Sequence, residues 1–172
     1  MRYSVLKAGP EMSRRAIFID TSVLSNLLSV PGKSQDMEKA QQDFLALQED
    51  NSVQFVLPVT TVIETGNHIA QIKNGDMRRE VAQRFGKMLE SVCEREAPWV
   101  LHDFEWGESF LRSFLGGANS QRTWYDLAQE RVGGGDLSIL VEASMYQNRL
   151  QIDCEIWTYD AGLRAYAPTT TP

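Results

Sequence analysis

The stretch Ala16-Ile17-Phe18-Ile19-Asp20 places an acidic residue directly after four consecutive apolar residues. An apolar run of this length, without the alternation of a half-exposed strand, predicts a β-strand that is buried on both faces. Such strands are typical of parallel sheets that helices cover on both sides. Thr21 and Ser22 follow, and residues of these types commonly begin helices.

The same alternation of strand and helix recurs along the chain. Further strands are predicted at residues 53–57, 98–101 and 154–158. Helices are predicted at residues 35–48, 76–96, 104–115, 121–131 and 137–149, with shorter ones after the first two strands. This order predicts an α/β fold with a parallel sheet between two layers of helices. No linker divides the chain, so we expect a single domain over residues 1–172, with an extension at 1–15 and a frayed tail at 169–172.

The composition is typical of a globular protein in aqueous solution. Of the 172 residues, 42% are hydrophobic and 23% are charged, which excludes a disordered chain. No apolar run approaches the roughly 18 residues of a membrane span. The opening residues lack the apolar core of a secretory signal, which predicts a cytoplasmic protein. The net charge of −6 argues against a protein that coats nucleic acid by charge alone, but it is compatible with acids gathered around a metal ion.

The two cysteines do not predict a disulfide framework or a zinc site. Cys93 and Cys154 are too few and too far apart for either. Both have apolar neighbours, so we expect two buried thiols.

Four acidic residues occupy positions at which a parallel sheet brings its functional groups together. Asp20 directly follows the first strand, and Asp160 lies two residues after the fourth. Glu64 lies in the first turns after the second strand, and Asp136 begins a helix after three glycines. Ligands of open parallel sheets bind at the carboxyl ends of the strands. We therefore expect the four carboxylates to converge at that edge.

Carboxylates that converge repel one another unless some are protonated or a cation lies between them. Oxygen ligands without a nearby histidine or cysteine favour Mg²⁺ or Mn²⁺ over zinc. Such an ion binds phosphate oxygens and activates water, which are the requirements of phosphodiester hydrolysis.

Helix capping is the structural alternative for two of these acids. Aspartate is a favoured N-cap residue, so capping alone would explain Asp136 and Asp160. Glu64 is less easily explained by structure, because Val62 and Ile63 beside it on the predicted helix are apolar.

Four blocks of the sequence together resemble the PIN-domain family. They occur in the family's order and cover most of the chain from Ala16 to about Tyr166. The blocks are Ala16–Leu24, Leu57–Glu64, Gly134–Leu140 and Ile156–Asp160.

The resemblance implies a three-layer α/β/α sandwich with a central parallel sheet of four to five strands. It implies Mg²⁺- or Mn²⁺-dependent endoribonuclease activity, with Asp20, Glu64, Asp136 and Asp160 as catalytic and metal-binding residues. Residues Thr21, Ser22 and Thr158 match hydroxyl positions that often support the metal cluster. Many small members are VapC-like toxins of type II toxin–antitoxin modules, which implies RNA as the substrate, an antitoxin partner and a homodimer.

The chain departs from the family pattern in two places. The family usually has a final strand after the fourth acid, and only residues 163–168 are available for it here. The helical middle, residues 104–131, is enlarged relative to the smallest toxins. Both departures weaken the toxin assignment more than the nuclease assignment.

Basic and aromatic residues suggest where RNA could bind. Lys73, Arg78 and Arg79 belong to a locally basic stretch that follows the Glu64 helix, and they are the predicted RNA-binding residues; a solvated helix face is the alternative. Trp124 and Tyr125 are candidates for a partner or substrate surface.

The two histidines and the arginines before the first strand have structural interpretations. For His68 and His102 we favour a structural or surface role over general-base catalysis, because a metal-bound water needs no such base. Arg14 and Arg15 are expected at the opposite end of the sheet from the acids.

Two other functions are compatible with the pattern. One is a PIN-like protein- or RNA-binding module without significant catalysis, in which the acids would be too dispersed to bind metal. The other is a phosphatase that forms an aspartyl-phosphate on Asp20, but this chemistry requires a second aspartate two residues later, where Ser22 stands.

Overall fold

A four-stranded parallel sheet forms the centre of the protein in the computed structural model, which describes residues 14–118 and 120–166. The sheet has the order β3-β2-β1-β4. Its strands are β1 (Arg15–Ile19), β2 (Val53–Val56), β3 (Trp99–Val100) and β4 (Asp153–Trp157).

Helices occupy both faces of this sheet. They are α1 (Thr21–Leu27), α2 (Met37–Gln48), α3 (Val59–Ala70), α4 (Gly75–Cys93), α5 (Glu108–Leu115), α6 (Trp124–Gln129), α7 (Gly134–Leu150) and α8 (Ala161–Arg164). None of the helices in the described part of the chain is long and apolar enough to cross a membrane.

The central strand β1 divides the interior into two apolar cores. Ala16 and Phe18 contribute to a core with residues of α5, α6 and α7. Ile17 and Ile19 contribute to a second core with residues of α1, α2 and α4. Because successive side chains of a strand point to opposite faces, a strand that is apolar at every position is buried on both. The predicted three-layer α/β/α fold is therefore confirmed.

The connections reverse direction beside β1. The chain builds β2 and β3 on one side of β1 and then crosses through α5, α6 and α7 to place β4 on the other side. The register pairs Phe18 with Val56 and Ile19 with Trp157, so the carboxyl ends of β1, β2 and β4 lie together. A reversal of this kind is where open α/β sheets bind ligands.

Two helices begin earlier than the sequence predicts. Asn74, not Asp76, is the N-cap of α4, and its side chain accepts a hydrogen bond from the backbone N–H of Met77. Gly133 is the N-cap of α7, which places Asp136 inside the first turn rather than before it. The prediction that Asp136 begins its helix was therefore wrong, and capping does not explain that residue.

The remaining boundaries differ by a few residues. The helices predicted at 104–115 and 121–131 are shorter, as α5 and α6, because the Thr123 capping box with Asp126 fixes the start of α6. Within residues 161–166 the chain forms α8 and no strand. Arg15 belongs to β1 rather than to an extension. Residues 1–13 and the predicted frayed tail lie outside the described residues.

One of the two predictions about cysteine was wrong. Cys154 is buried, and burial raises the pKa of its thiol to about 12. Cys93 is exposed, because it lies on the outward face of the last turn of α4 while its neighbour Val92 faces the core.

Candidate active site

All four predicted acids line one cavity of about 380 Å³ at the carboxyl edge of the sheet. Asp20 lies between β1 and α1, and Asp160 lies between β4 and α8. Glu64 is in the second turn of α3, and Asp136 is in the first turn of α7. Four separate elements thus bring together side chains that are up to 140 residues apart in the sequence.

Asp20 is the most firmly held of the four. The residue is 4% exposed, and its Oδ2 accepts hydrogen bonds from the backbone N–H and hydroxyl of Ser22 and from the hydroxyl of Thr158. No described residue donates to Oδ1 of Asp20. Three donors to Oδ2 fix the orientation of this carboxylate and leave its other oxygen for a ligand.

The hydroxyls around Asp20 also connect the ends of two strands. Thr158 accepts a hydrogen bond of 2.9 Å from the backbone N–H of Asp160. The hydroxyl of Ser22 accepts one of 2.9 Å from the backbone N–H of Tyr159. The chain after β4 is therefore tied to the start of α1, which holds Asp160 beside Asp20.

Glu64 is positioned by a hydroxyl and by a glycine. The hydroxyl of Thr21 donates a hydrogen bond of 2.8 Å to Oε2 of Glu64. The other oxygen, Oε1, lies so close to Gly135 that a Cβ on this residue would overlap with it. A Cβ there would also lie 3.2 Å from Cδ of Glu64 and 3.3 Å from Cγ2 of Thr60. Glycine at position 135 therefore lets α7 approach α3 closely enough for Asp136 and Glu64 to share the cavity.

Burial and the proximity of the other acids raise the pKa of Asp136. Burial and, after it, the negative charges of Asp20, Asp160 and Glu64 together raise the pKa of its carboxyl to about 6. A hydrogen bond from the backbone of Gly133 acts in the opposite direction. Asp136 thus binds a proton more readily than an ordinary carboxyl, and a divalent cation would replace that proton.

Asp160 has a structural role as well as a place in the cavity. It is exposed, and its Oδ1 accepts hydrogen bonds from the backbone N–H groups of Gly162 and Leu163. It is therefore the N-cap of α8, as the structural alternative predicts. Capping occupies one of its oxygens, and the residue still faces the other three acids.

The chemical type of the donor atoms in the cavity suits a hard divalent cation. The cavity offers carboxylate oxygens from four residues, which Mg²⁺ and Mn²⁺ favour. The spacing is wider than that of a complete metal site: in the described part of the chain, no three Asp, Glu, His or Cys side chains form a group that could hold a metal ion. The acids therefore share a cavity, but no three of them in the described chain are arranged around a single metal position.

The predicted RNA-binding residues do not line this cavity. Lys73 is exposed just before α4, and Arg78 and Arg79 are exposed in its first turns. Arg78 donates a hydrogen bond to the carbonyl of Ile72. Their role in RNA binding remains a prediction. Tyr125 is 68% exposed, whereas Trp124 packs against Phe114.

The two histidines have different surroundings. The side chain of His102 is buried between the rings of Phe18 and Tyr146, and its Nε2 lies 3.5 Å from Oε2 of Glu142. His68 lines the cavity, and burial lowers the pKa of its imidazole. Arg15, the first residue of β1, lies at the opposite end of the sheet as expected and forms ion pairs with Asp50 and Glu155 there.

Sequence reasoning missed the remainder of the cavity wall. The four acids, Thr21, Ser22 and His68 form part of this wall. Its other residues are Ser25, Asn26, Lys33, Gln35, Asp36 and Tyr159. Most belong to the end of α1 and the loop after it, and no periodicity or motif in that stretch points toward the acids.

Comparison of the chain with models of known families, with curated proteins and with solved structures finds no match.

Proposed function

We propose that the protein is a metal-dependent endoribonuclease that hydrolyses RNA phosphodiester bonds at the carboxylate cavity. Asp20, Glu64, Asp136 and Asp160 are its catalytic and metal-binding residues, and Mg²⁺ or Mn²⁺ is its cofactor.

The observation that supports this most strongly is the environment of Asp136. Its carboxyl is partly buried, and three other carboxylates lie near enough to raise its pKa. Repulsion of this kind costs folding free energy, and a divalent cation among the acids would offset it. Strongly perturbed carboxyls in a cleft are typical of functional sites.

The surrounding residues are suited to holding a cation and a phosphate in fixed positions. When bound, the cation would lower the pKa of a water molecule and stabilise negative charge on the phosphate oxygens. The hydroxyls of Ser22 and Thr158 donate hydrogen bonds to Oδ2 of Asp20. These bonds fix the orientation of the carboxylate and therefore the position of its other oxygen, Oδ1. Thr21 orients Glu64 in the same way. Together they limit the movement of ligands that would otherwise repel one another.

The finer assignments rest on the resemblance of the four sequence blocks to PIN domains. It supports RNA rather than DNA as the substrate. It also supports a toxin of a type II toxin–antitoxin module, with an antitoxin as partner, a homodimer as the assembly and the cytoplasm as the compartment.

A second candidate is a PIN-like module that binds protein or RNA without significant catalysis. The observation that favours it is the spacing of the acids, since no three of them in the described chain form a ready metal-binding group. Calorimetric titration with Mn²⁺ separates the two candidates. A ribonuclease should bind Mn²⁺ and lose this binding in Glu64→Gln, whereas a binding module should give no heat of Mn²⁺ binding in either protein.

The direct test compares RNA cleavage by the wild type, Asp20→Asn and Asp153→Asn. Asp153 is exposed at the start of β4, at the other end of the strand from the cavity, so it serves as the matched control. We expect Asp20→Asn to abolish Mg²⁺-dependent cleavage while its circular dichroism spectrum is retained, and Asp153→Asn to cleave like the wild type. An unchanged rate in Asp20→Asn would refute the proposal.

The toxin assignment has its own test in cells. Controlled expression of the wild type should arrest growth and produce new RNA ends that sequencing detects, and Asp20→Asn should do neither. Cleavage in vitro without growth arrest would support the ribonuclease and contradict the toxin.

A further inference from the structure

The cavity extends beyond the carboxylates along α1. Its continuation is formed by Ser25, Asn26, Lys33, Gln35, Asp36 and His68. We call Ser25, Asn26, Lys33 and His68 the basic half of the cavity. Ser25 follows Thr21 by one helical turn, which displaces this half from the acids by about 6 Å. That displacement is similar to the separation of adjacent phosphates along an extended nucleic-acid strand.

Lys33 supplies a positive charge to the basic half. Among the residues that the structure describes, none forms an ion pair with Lys33. Asp36 also lines the cavity, as the four carboxylates do, but no ion pair joins Lys33 to any of these acids. A cation without a partner, placed beside a group of acids, is suited to hold an anion that those acids alone would repel.

The loop that bears Lys33 is fixed to α1 by hydrogen bonds. The backbone N–H of Lys33 donates to the carbonyl of Val30, at 3.0 Å. The backbone N–H of Asp36 donates to Oδ1 of the buried Asn26, at 2.8 Å, and Nδ2 of Asn26 donates to the carbonyl of Ser22. Lys33 is therefore presented to the cavity from an anchored loop.

Ser25 indicates that this half of the cavity receives a polar ligand. The residue is 2% exposed and lines the cavity, and its hydroxyl has no hydrogen-bond partner among the described residues. Nδ1 of His68, in the same wall, is buried and also without such a partner. Buried polar groups in folded proteins are normally hydrogen-bonded, so unpartnered groups around one cavity point to a ligand.

We propose that the basic half binds the phosphate of single-stranded RNA that neighbours the bond being cut, with Lys33 as its charged contact and Ser25 as a hydrogen-bond donor. The inference rests on the proposed function, because the carboxylates define which bond is cut. The volume of the whole cavity, about 380 Å³, lies within the range of pockets that bind small ligands, which begins at about 300 Å³. Binding of this neighbouring phosphate in the basic half would place the phosphate of the bond being cut against the acids.

The test measures RNA binding without cleavage. The probe is a fluorescein-labelled hexauridylate, its anisotropy is followed in Ca²⁺ from 50 to 300 mM NaCl, and a gel verifies that it stays intact. The variants are Lys33→Met, Ser25→Ala and Lys87→Met. Lys87 is exposed on α4 and does not line the cavity, so its variant makes the same charge change elsewhere.

We expect Lys33→Met to raise the Kd at 50 mM NaCl by at least five-fold. It should also reduce the slope of log Kd against log salt by about 0.7, the loss of one phosphate contact to a single strand. Ser25→Ala should weaken binding by about three-fold without lowering stability, because its hydroxyl has no partner to lose. Lys87→Met should change Kd by less than two-fold. Equal effects of Lys33→Met and Lys87→Met, or a wild type that does not bind the probe, would overturn the inference.

Failure of the proposed function would be recognised separately. Lys33→Met should bind Mn²⁺ at least as tightly as the wild type, because Lys33 is not a metal ligand and its positive charge repels the cation. A wild type that neither binds Mn²⁺ nor cleaves RNA would refute the ribonuclease. A selective loss of RNA binding in Lys33→Met would still support the phosphate contact in that case.

Discussion

The hydroxyl of Thr158, at the end of β4, donates a hydrogen bond of 2.8 Å to Oδ2 of Asp20, at the end of β1. Both residues are 4% exposed and lie 138 positions apart in the sequence. This bond holds the two strand ends in register where the four acids meet. It connects the packing of the sheet to the chemistry of the cavity, and it can be removed without changing the size of the side chain.

Thr158→Val should weaken both the fold and the metal site. The substitution removes a hydrogen bond to a charged group and leaves the N–H of Asp160 unpaired, so we expect a loss of about 2 kcal/mol in the free energy of unfolding. Residues that orient metal ligands typically contribute 10- to 100-fold in affinity, so Mn²⁺ should bind about ten-fold more weakly. Urea denaturation and calorimetry measure the two effects. Thr158→Ser keeps the hydroxyl, and equal Mn²⁺ affinity in the two variants would contradict the role of Thr158.

Gly135→Ala should remove activity while leaving the protein stable. The new methyl group would displace the end of the Glu64 side chain, which is flexible enough to move, so the fold should tolerate the change. Alanine in a helix is also favoured over glycine by about 1 kcal/mol. We expect RNA cleavage and Mn²⁺ affinity to fall at least ten-fold with an unchanged or higher melting temperature.

The matched control for this substitution is Gly134→Ala. A Cβ at position 134 would meet only Cζ of Phe114, at 3.8 Å, which is an ordinary contact. Gly134→Ala should therefore keep wild-type cleavage. Loss of cleavage in both variants would mean that the start of α7, rather than the place of Glu64, is disturbed.

The raised pKa of Asp136 predicts that stability without metal falls as the pH rises. With a folded pKa of about 6 against an ordinary value of 3.8, the folded state binds more protons than the unfolded state between these values. The stabilisation from the protonated form is complete below pH 3.8 and is lost as the pH passes through about 6. At about 1.4 kcal/mol per pKa unit, the loss amounts to at most about 3 kcal/mol, and solvent exposure of the carboxyl reduces it.

This pH dependence is measured by urea denaturation in EDTA from pH 4 to 7, as the difference between the wild type and Asp136→Asn. The difference isolates Asp136 from the other titrating groups. Asp136→Asn should gain stability relative to the wild type as the pH rises, and Mn²⁺ should restore the wild type at pH 7. A difference that is constant with pH would show that Asp136 is not perturbed.

The pair of His102 and Glu142 should contribute to stability but not to metal binding. Both side chains are nearly inaccessible, and neither lines the carboxylate cavity. Removing His102 would leave the buried Oε2 of Glu142 without the polar neighbour that lies 3.5 Å away, which costs about 1 to 3 kcal/mol, whereas replacing both residues by apolar ones is often neutral. We expect His102→Leu to be strongly destabilised, and His102→Leu combined with Glu142→Met to recover most of the loss in urea denaturation. Mn²⁺ affinity should equal that of the wild type in the double variant.

The general position of the acids could be predicted because it depends on short-range patterns. Asp20 follows an unbroken apolar strand, and in a parallel sheet the residue after a strand lies at the ligand-binding edge. The same reasoning applies to Asp160 after β4. The start of α7 could not be predicted correctly, because three consecutive glycines allow several starting points and aspartate is a favoured cap.

The basic half of the cavity lay outside the reach of sequence patterns. Lys33 lies in a loop whose course depends on the hydrogen bond between the backbone of Asp36 and the side chain of Asn26. Bonds of this kind leave no periodic signal in the sequence. The exposure of Cys93 was missed for a related reason, since the apolar neighbours of a helical residue do not reveal which face of the helix it occupies.

The sequence by itself determined the layers of this protein and the order of its strands and helices, because burial on two faces requires apolar residues at consecutive positions. It also determined that four acids stand near strand ends or helix starts. Only the tertiary structure decided that the Glu64 carboxylate lies against Gly135, and that the hydroxyl of Thr158 donates a hydrogen bond to Asp20. It also decided that Lys33 lines the same cavity. These relationships join residues far apart in the chain, and their distances follow from how α3, α7 and the sheet pack together rather than from any local preference of the backbone.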